Sequence, residues 1–166
     1  EELCFGATRT IGDVLMGKIL KRYTDEDPDV RVRMIVENTR ELLRRLDDGT
    51  IDFALVEGFF QKNEYECRRY SVEPYIAVSA PDYPFQKRPD VIEDLFHERL
   101  LLREEGSGTR EVLERCLDVQ NLSVSDFDRV LEAGSLQTIK ELTKAGCGIT
   151  FLYGTAVQDE HREGTL

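Results

Sequence analysis

Tryptophan is absent from this chain. Glu57 and Glu105 suggest a carboxylate pair for glycoside chemistry, but without tryptophan they lack the aromatic platform that usually binds a sugar. Histidine is nearly absent: His97 and His161 are the only two, and both lie in charged segments. No Cys-x-x-Cys pair occurs among Cys4, Cys67, Cys116 and Cys147, so no metal-ligand spacing exists. Ser107 lies in Glu-Gly-Ser-Gly-Thr rather than Gly-x-Ser-x-Gly and has no candidate histidine base, which argues against a Ser–His nucleophile. Gly106-Ser107-Gly108-Thr109 suggests a phosphate loop, yet the Gly-Lys-Ser/Thr ending is missing. The expectation is a protein with no catalysis, no cofactor and no bound metal.

Long apolar runs are also missing. None approaches the roughly 20 residues of a membrane span, and no membrane partner is expected. The chain opens directly on the strand-like Leu3-Cys4-Phe5, with no basic segment followed by an apolar one, so no signal peptide is read. Cys4, Cys116 and Cys147 sit in apolar patterns, where a free cysteine behaves as a small hydrophobe. Cys67 alone lies outside one. Reduced thiols and a cytoplasmic location fit best.

Acidic residues outnumber basic ones, 33 to 22, for a formal net charge of −11. A duplex-binding surface needs clustered Lys and Arg to neutralise phosphates, so this chain as a whole is not expected to bind DNA. Arg44-Arg45 and Arg68-Arg69 are short basic spots flanked by acids. Apolar residues, at 40%, suffice for a core, and the charges are interspersed, so a folded protein is expected. The length fits one domain or two small lobes.

Strand-like and helix-like segments alternate. Residues 2–7 read as a strand, and Ile11, Val14, Leu15, Ile19 and Leu20 then recur at helical spacing. Val30, Val32, Met34 and Val36 alternate as a second strand. Leu42, Leu43 and Leu46 mark a short helix that Asp48-Gly49 ends, and Ile51 to Val56 is a third strand. This βαβαβ order calls for a parallel sheet. A weaker strand is expected near 65–72, another at Tyr75 to Ser79, and an extended loop from Ala80 to Pro89. The pattern then resumes with strands at 100–103, 130–133 and 149–153. Helix faces lie at Val112–Leu117 and Leu136–Leu142, and a polar helical tail near 155–162. The expected architecture is α/β with two Rossmann-like lobes, residues 1–73 and 74–166.

The residues that carry chemistry lie where strands give way to helices: Thr8, Arg9 and Thr10 after the first strand, Asn38 and Thr39 after the second, Glu57 after the third. In the second half, Ser107, Gly108 and Thr109 precede one helix and Ser135 the next. In an open parallel sheet such turns gather at the carboxyl edge, where ligands bind. Hydroxyls and helix-terminal N–H groups there attract anions. Each residue taken singly is also a good N-cap, and Thr10 with Asp13, or Asn38 with Glu41, has capping-box-like spacing. Recurrence favours the ligand reading, because several turns carry two such residues and a cap needs one. Arg9 pointing inward would favour a carboxylate, sulfate or phosphate; as a surface residue it would carry no meaning.

The stretches 6–12 (GATRTIG), 37–39 (ENT), 49–58 (GTIDFALVEG), 101–110 (LLREEGSGTR) and 145–153 (AGCGITFLY) resemble the effector-binding domain of LysR-type transcriptional regulators. The similarity spans nearly the whole chain, in order. It implies a type-2 periplasmic-binding-protein-like fold with a small anionic effector in the interlobe cleft. It implies Thr8, Arg9, Thr10, Asn38, Thr39, Glu57, Ser107, Gly108, Thr109 and Ser135 as effector-loop positions. It further implies a homodimer, tetrameric in the full-length regulator, that reaches DNA only through an N-terminal helix-turn-helix outside this chain. In the family the chain returns to the first lobe with a strand and a terminal helix. That return begins about where Leu166 falls, so an incomplete first lobe is expected. One alternative is an extracytoplasmic solute-binding protein for a small anion, which shares the fold. Another is a small-molecule transferase with a glycine-rich loop, which lacks a metal cluster, a base and a phosphate-loop lysine.

Overall fold

A computed structural model describes residues 2–166. It divides into two compact units, one running up to Phe59 and including Gly106–Gly108, the other Phe60–Glu105 with Thr109–Leu166.

In the first unit β1 (Glu2–Thr8) leads into helices α1 (Arg9–Val14) and α2 (Met16–Glu26), β2 (Arg31–Glu37), α3 (Thr39–Asp47) and β3 (Phe53–Leu55). The strands form a parallel sheet in the order β2-β1-β3, with Phe5 opposite both Met34 and Phe53. Successive side chains of a strand point to opposite faces, and β1 uses both. Phe5 and Ala7 are buried with Met16, against Leu3, Ile11, Leu20, Val32, Met34 and Leu55. On the other face Gly6 leaves room for Leu42 of α3 and for Ile51, whose Cδ1 lies 3.1 Å from where a Cβ would stand. A sheet covered on both faces explains the apolar character of β1 throughout. The periodicity of Ile11–Leu20 predicts one helix, but Leu15 interrupts it, with φ −105°, as the last residue of one helix and the first of the next. The apolar stripe survives the break, since Ile11, Met16 and Leu20 all reach the core.

The second unit holds β4 (Tyr75–Val78), β5 (Arg99–Leu102), α4 (Gly108–Asp118), β6 (Arg129–Glu132), α5 (Leu136–Lys144), β7 (Thr150–Tyr153) and α6 (Gln158–Glu163). Strands β5 and β6 pair in parallel and β4 and β7 antiparallel; a single bridge joins Leu100 to Ile149. Leu100 and Leu102 pack with Leu113 and Leu117 of α4, Phe127 and Ile149. The helix spacing of Leu113 and Leu117, four apart, places both on the core side. It also turns Cys116 outward, and that cysteine is exposed rather than buried in its apolar pattern. The strand expected near 65–72 does not form. Tyr70 and Val72 are 71% and 80% exposed, so that stretch has no buried face to alternate with.

Candidate functional site

In the first unit the carboxyl ends of the three parallel strands and the starts of α1 and α3 meet. Thr8 ends β1, and its hydroxyl donates to the Glu57 carboxylate beyond β3. The Thr39 hydroxyl donates to the Glu57 carbonyl at 3.0 Å. Glu57 is therefore held by side chains from two different strand-to-helix turns.

Two glycines let another segment close in. Gly106–Gly108 packs here although the flanking residues belong to the second unit. The Arg40 amide donates to the Gly106 carbonyl at 3.2 Å. Gly58, at φ +92°, faces Gly108 so closely that a Cβ on it would stand 2.7 Å from the Gly108 Cα. Side chains at either position would force the backbones apart, which is why glycine is found at both. Thr8, Thr10, Thr39 and Ser107 are all buried in this region, each 4% exposed or less.

The charge pattern centres on Arg9 and Glu37. Arg45 grips the Glu37 carboxylate with two bonds of 2.6 and 2.8 Å. This hydrogen-bonded grip holds the Glu37 carboxyl below its ordinary range, with the charges of Arg45, Arg44 and Arg9 adding to the effect. Arg9 Nε is buried and has no hydrogen-bond partner. Two capping expectations separate here. Asn38 does cap α3, accepting the Glu41 amide at 3.0 Å. Thr10 does not cap: it lies inside α1, whose N-cap is Thr8.

The remaining candidates, Thr109 and Ser135, belong to the second unit. Ser135 caps α5 by accepting the Thr138 amide at 3.2 Å. Thr109 is 1% exposed, and its carbonyl accepts the Tyr75 hydroxyl at 2.8 Å. Burial, with the negative charge of a tyrosinate near Tyr153 and Cys116 disfavoured, pushes the Tyr75 hydroxyl well above its ordinary range. Sequence reasoning missed the charged cluster of this unit. The Arg103 guanidinium is 3% exposed and pairs with Glu104 at 2.8 and 3.1 Å. Arg110 bonds Glu114 and Glu132, each at 2.7 Å, and the Arg103 carbonyl at 3.2 Å. The available signal was an arginine ending the wholly apolar run Leu100–Leu102, since a buried guanidinium requires a carboxylate.

Among the described residues no group of three His, Cys, Asp or Glu side chains could hold a metal ion, and no helix is long and apolar enough to cross a membrane. What the first unit offers instead is buried hydroxyls, one unpartnered guanidinium nitrogen and one carboxylate, a set that binds small polar molecules. This is a ligand-binding α/β domain.

The comparisons give its family. The LysR substrate binding domain family matches residues 1–166, and the chain belongs to it. The HTH-type transcriptional regulator CysL of Bacillus subtilis (strain 168) is 30% identical over 166 residues, covering 98% of this chain and 54% of that protein. The chain thus spans about half the length of the relatives it matches. The CcmR regulatory domain of Synechocystis PCC6803 in complex with 2-PG superposes with a TM-score of 0.72 at 22% identity, covering 94% of this chain and 74% of that one. The effector binding domain of QuiR in complex with shikimate gives 0.79 at 13% identity, covering 96% and 77%. The fold is that of LysR regulatory domains, type-2 periplasmic-binding-protein-like.

Proposed function

We propose that this chain is the effector-sensing domain of a LysR-type transcriptional regulator and that it binds a small anionic metabolite without transforming it. Ligand occupancy would control DNA binding by a helix-turn-helix carried elsewhere in the whole regulator, which works in the cytoplasm as a homodimer and, at full length, a tetramer. Family membership supports the regulator reading over an extracytoplasmic solute-binding protein or an enzyme, since the relatives are transcriptional regulators. The CcmR and QuiR domains, which hold 2-PG and shikimate, support a small-molecule ligand.

The anion reading is carried by Arg9. A buried donor left without an acceptor costs about 1–3 kcal/mol, more when the group is charged. Arg9 Nε is such a donor, and it stands directly after Thr8 and before the buried Thr10. A carboxylate or similar oxyanion would supply the acceptor. We place the ligand at Thr8, Arg9, Thr10, Asn38, Thr39, Glu57, Ser107 and Gly108.

Native mass spectrometry of the chain purified under non-denaturing conditions tests this. The reading expects a carried-over or added small acid as a discrete mass increment of one per chain. A spectrum that stays unliganded across a panel of carboxylates and phosphorylated acids would overturn it.

A further inference from the structure

Glu57 raises a question that the anion reading leaves open, because a carboxylate beside an anion site repels what the site attracts. The Thr8 hydroxyl proton is engaged by the Glu57 carboxylate and the Thr39 hydroxyl proton by the Glu57 carbonyl. Neither hydroxyl therefore offers its proton to an anion. At this edge the charged groups next to one another in the fold are a cation with an unsatisfied buried N–H, at Arg9, and an acceptor, at Glu57, fixed by the residue that precedes Arg9.

An ionised carboxylate can accept about four hydrogen bonds, and Thr8 supplies one of them. A ligand that gives a hydrogen bond to Glu57 converts the repulsion into a charge-assisted bond; a ligand with no donor meets the repulsion unrelieved. Arg9 and Glu57 together are neutral, which further disfavours a doubly charged ion.

We propose that Glu57 is a specificity residue and that the effector is a singly charged organic acid that also carries a hydroxyl or amine donor. Inorganic oxyanions such as sulfate, and plain carboxylates without a donor, are discriminated against. This rests on the anion site at Arg9.

Calorimetric titration of the chain with three probes tests it: shikimate, a hydroxylated monocarboxylate; benzoate, a ring carboxylate with no donor; and sulfate, a dianion. Each is titrated to tens of millimolar against the unsubstituted chain, Glu57→Gln and Arg9→Ala. Glu57→Gln keeps an oxygen for Thr8, and a melting curve verifies that it folds. The expected result is shikimate bound about tenfold or more tighter than benzoate, with sulfate weakest. In Glu57→Gln the shikimate preference shrinks to within a few-fold and sulfate tightens. Arg9→Ala weakens every probe about tenfold or more. If Arg9→Ala loses binding while benzoate or sulfate equals shikimate, or while Glu57→Gln leaves the ranking intact, the specificity proposal fails and the anion site stands. If no probe binds, or Arg9→Ala changes nothing, both fail.

Discussion

Single side chains explain much of how this domain is held. Glu160 is the clearest case. It pairs with Lys140 at 2.6 Å, both side chains 11% exposed, and Lys144 lies 3.8 Å away. Burial pushes the Glu160 carboxyl up, but the Lys140 hydrogen bond and the two lysine charges outweigh it, and the group titrates below its ordinary 4.5. A carboxyl whose folded pKa is depressed contributes stability above its unfolded pKa and loses it as pH falls through the folded one. Glu160→Gln should therefore destabilise the chain by ~1–3 kcal/mol at neutral pH. Urea unfolding should show that difference shrinking as the pH is taken below about 4; a gap of equal size at both pH values would contradict the ion-pair account. The cysteines give a second residue-scale prediction. Cys67 and Cys116 are exposed while Cys4 and Cys147 are partly covered. A thiol reagent added to native protein should modify two sulfurs ahead of the other two, which peptide mapping of a short reaction checks. Apolar spacing alone pointed to Cys67 as the sole exposed thiol. It failed for Cys116 because a position next to a core residue on a helix faces away from it.

At the scale of elements, periodicity was a good guide wherever a segment has one buried face. The alternation of Val32 and Met34 and the spacing of Leu113 and Leu117 each mark a real strand or helix because each packs on a core cluster. Where no buried face exists, as in 65–72, β-branched and aromatic residues misled. Caps were half legible. Asn38 and Ser135 each accept an amide three residues on, whereas Thr10 sits one turn too far into α1. Asn38→Ala and Ser135→Ala should each cost about 0.5–2 kcal/mol. Thermal melts check this, and Thr10→Ala serves as the contrast, since its loss is not a cap's. Equal melting temperatures for all four proteins would remove the capping assignment.

For the whole molecule, the family-like stretches located the strand-to-helix turns, but they could not say which turns share a unit. Gly106–Gly108 is some fifty residues from Glu57 in sequence and packs on it through the paired glycines Gly58 and Gly108. No local pattern encodes that approach. It depends on two backbones fitting where neither has a side chain. The candidate list was likewise legible as a set of hydroxyls and not as a set of roles. Thr8 and Thr39 orient Glu57, Asn38 and Ser135 cap helices, and the unpartnered donor is on Arg9, whose direction the sequence left open.

The central claim is that Arg9 meets a small anion. Calorimetric titration of Arg9→Ala with the acid identified in the native protein, run beside thermal melts of the unliganded variant, tests it most directly. A ligand anion bonded to a guanidinium contributes about 1.5–3 kcal/mol, so affinity should fall by roughly tenfold or more. The unliganded variant should melt no lower than the parent, because truncation also removes a buried donor without an acceptor. Undiminished affinity, together with a lower melting temperature, would show that Arg9 serves the fold and not the ligand.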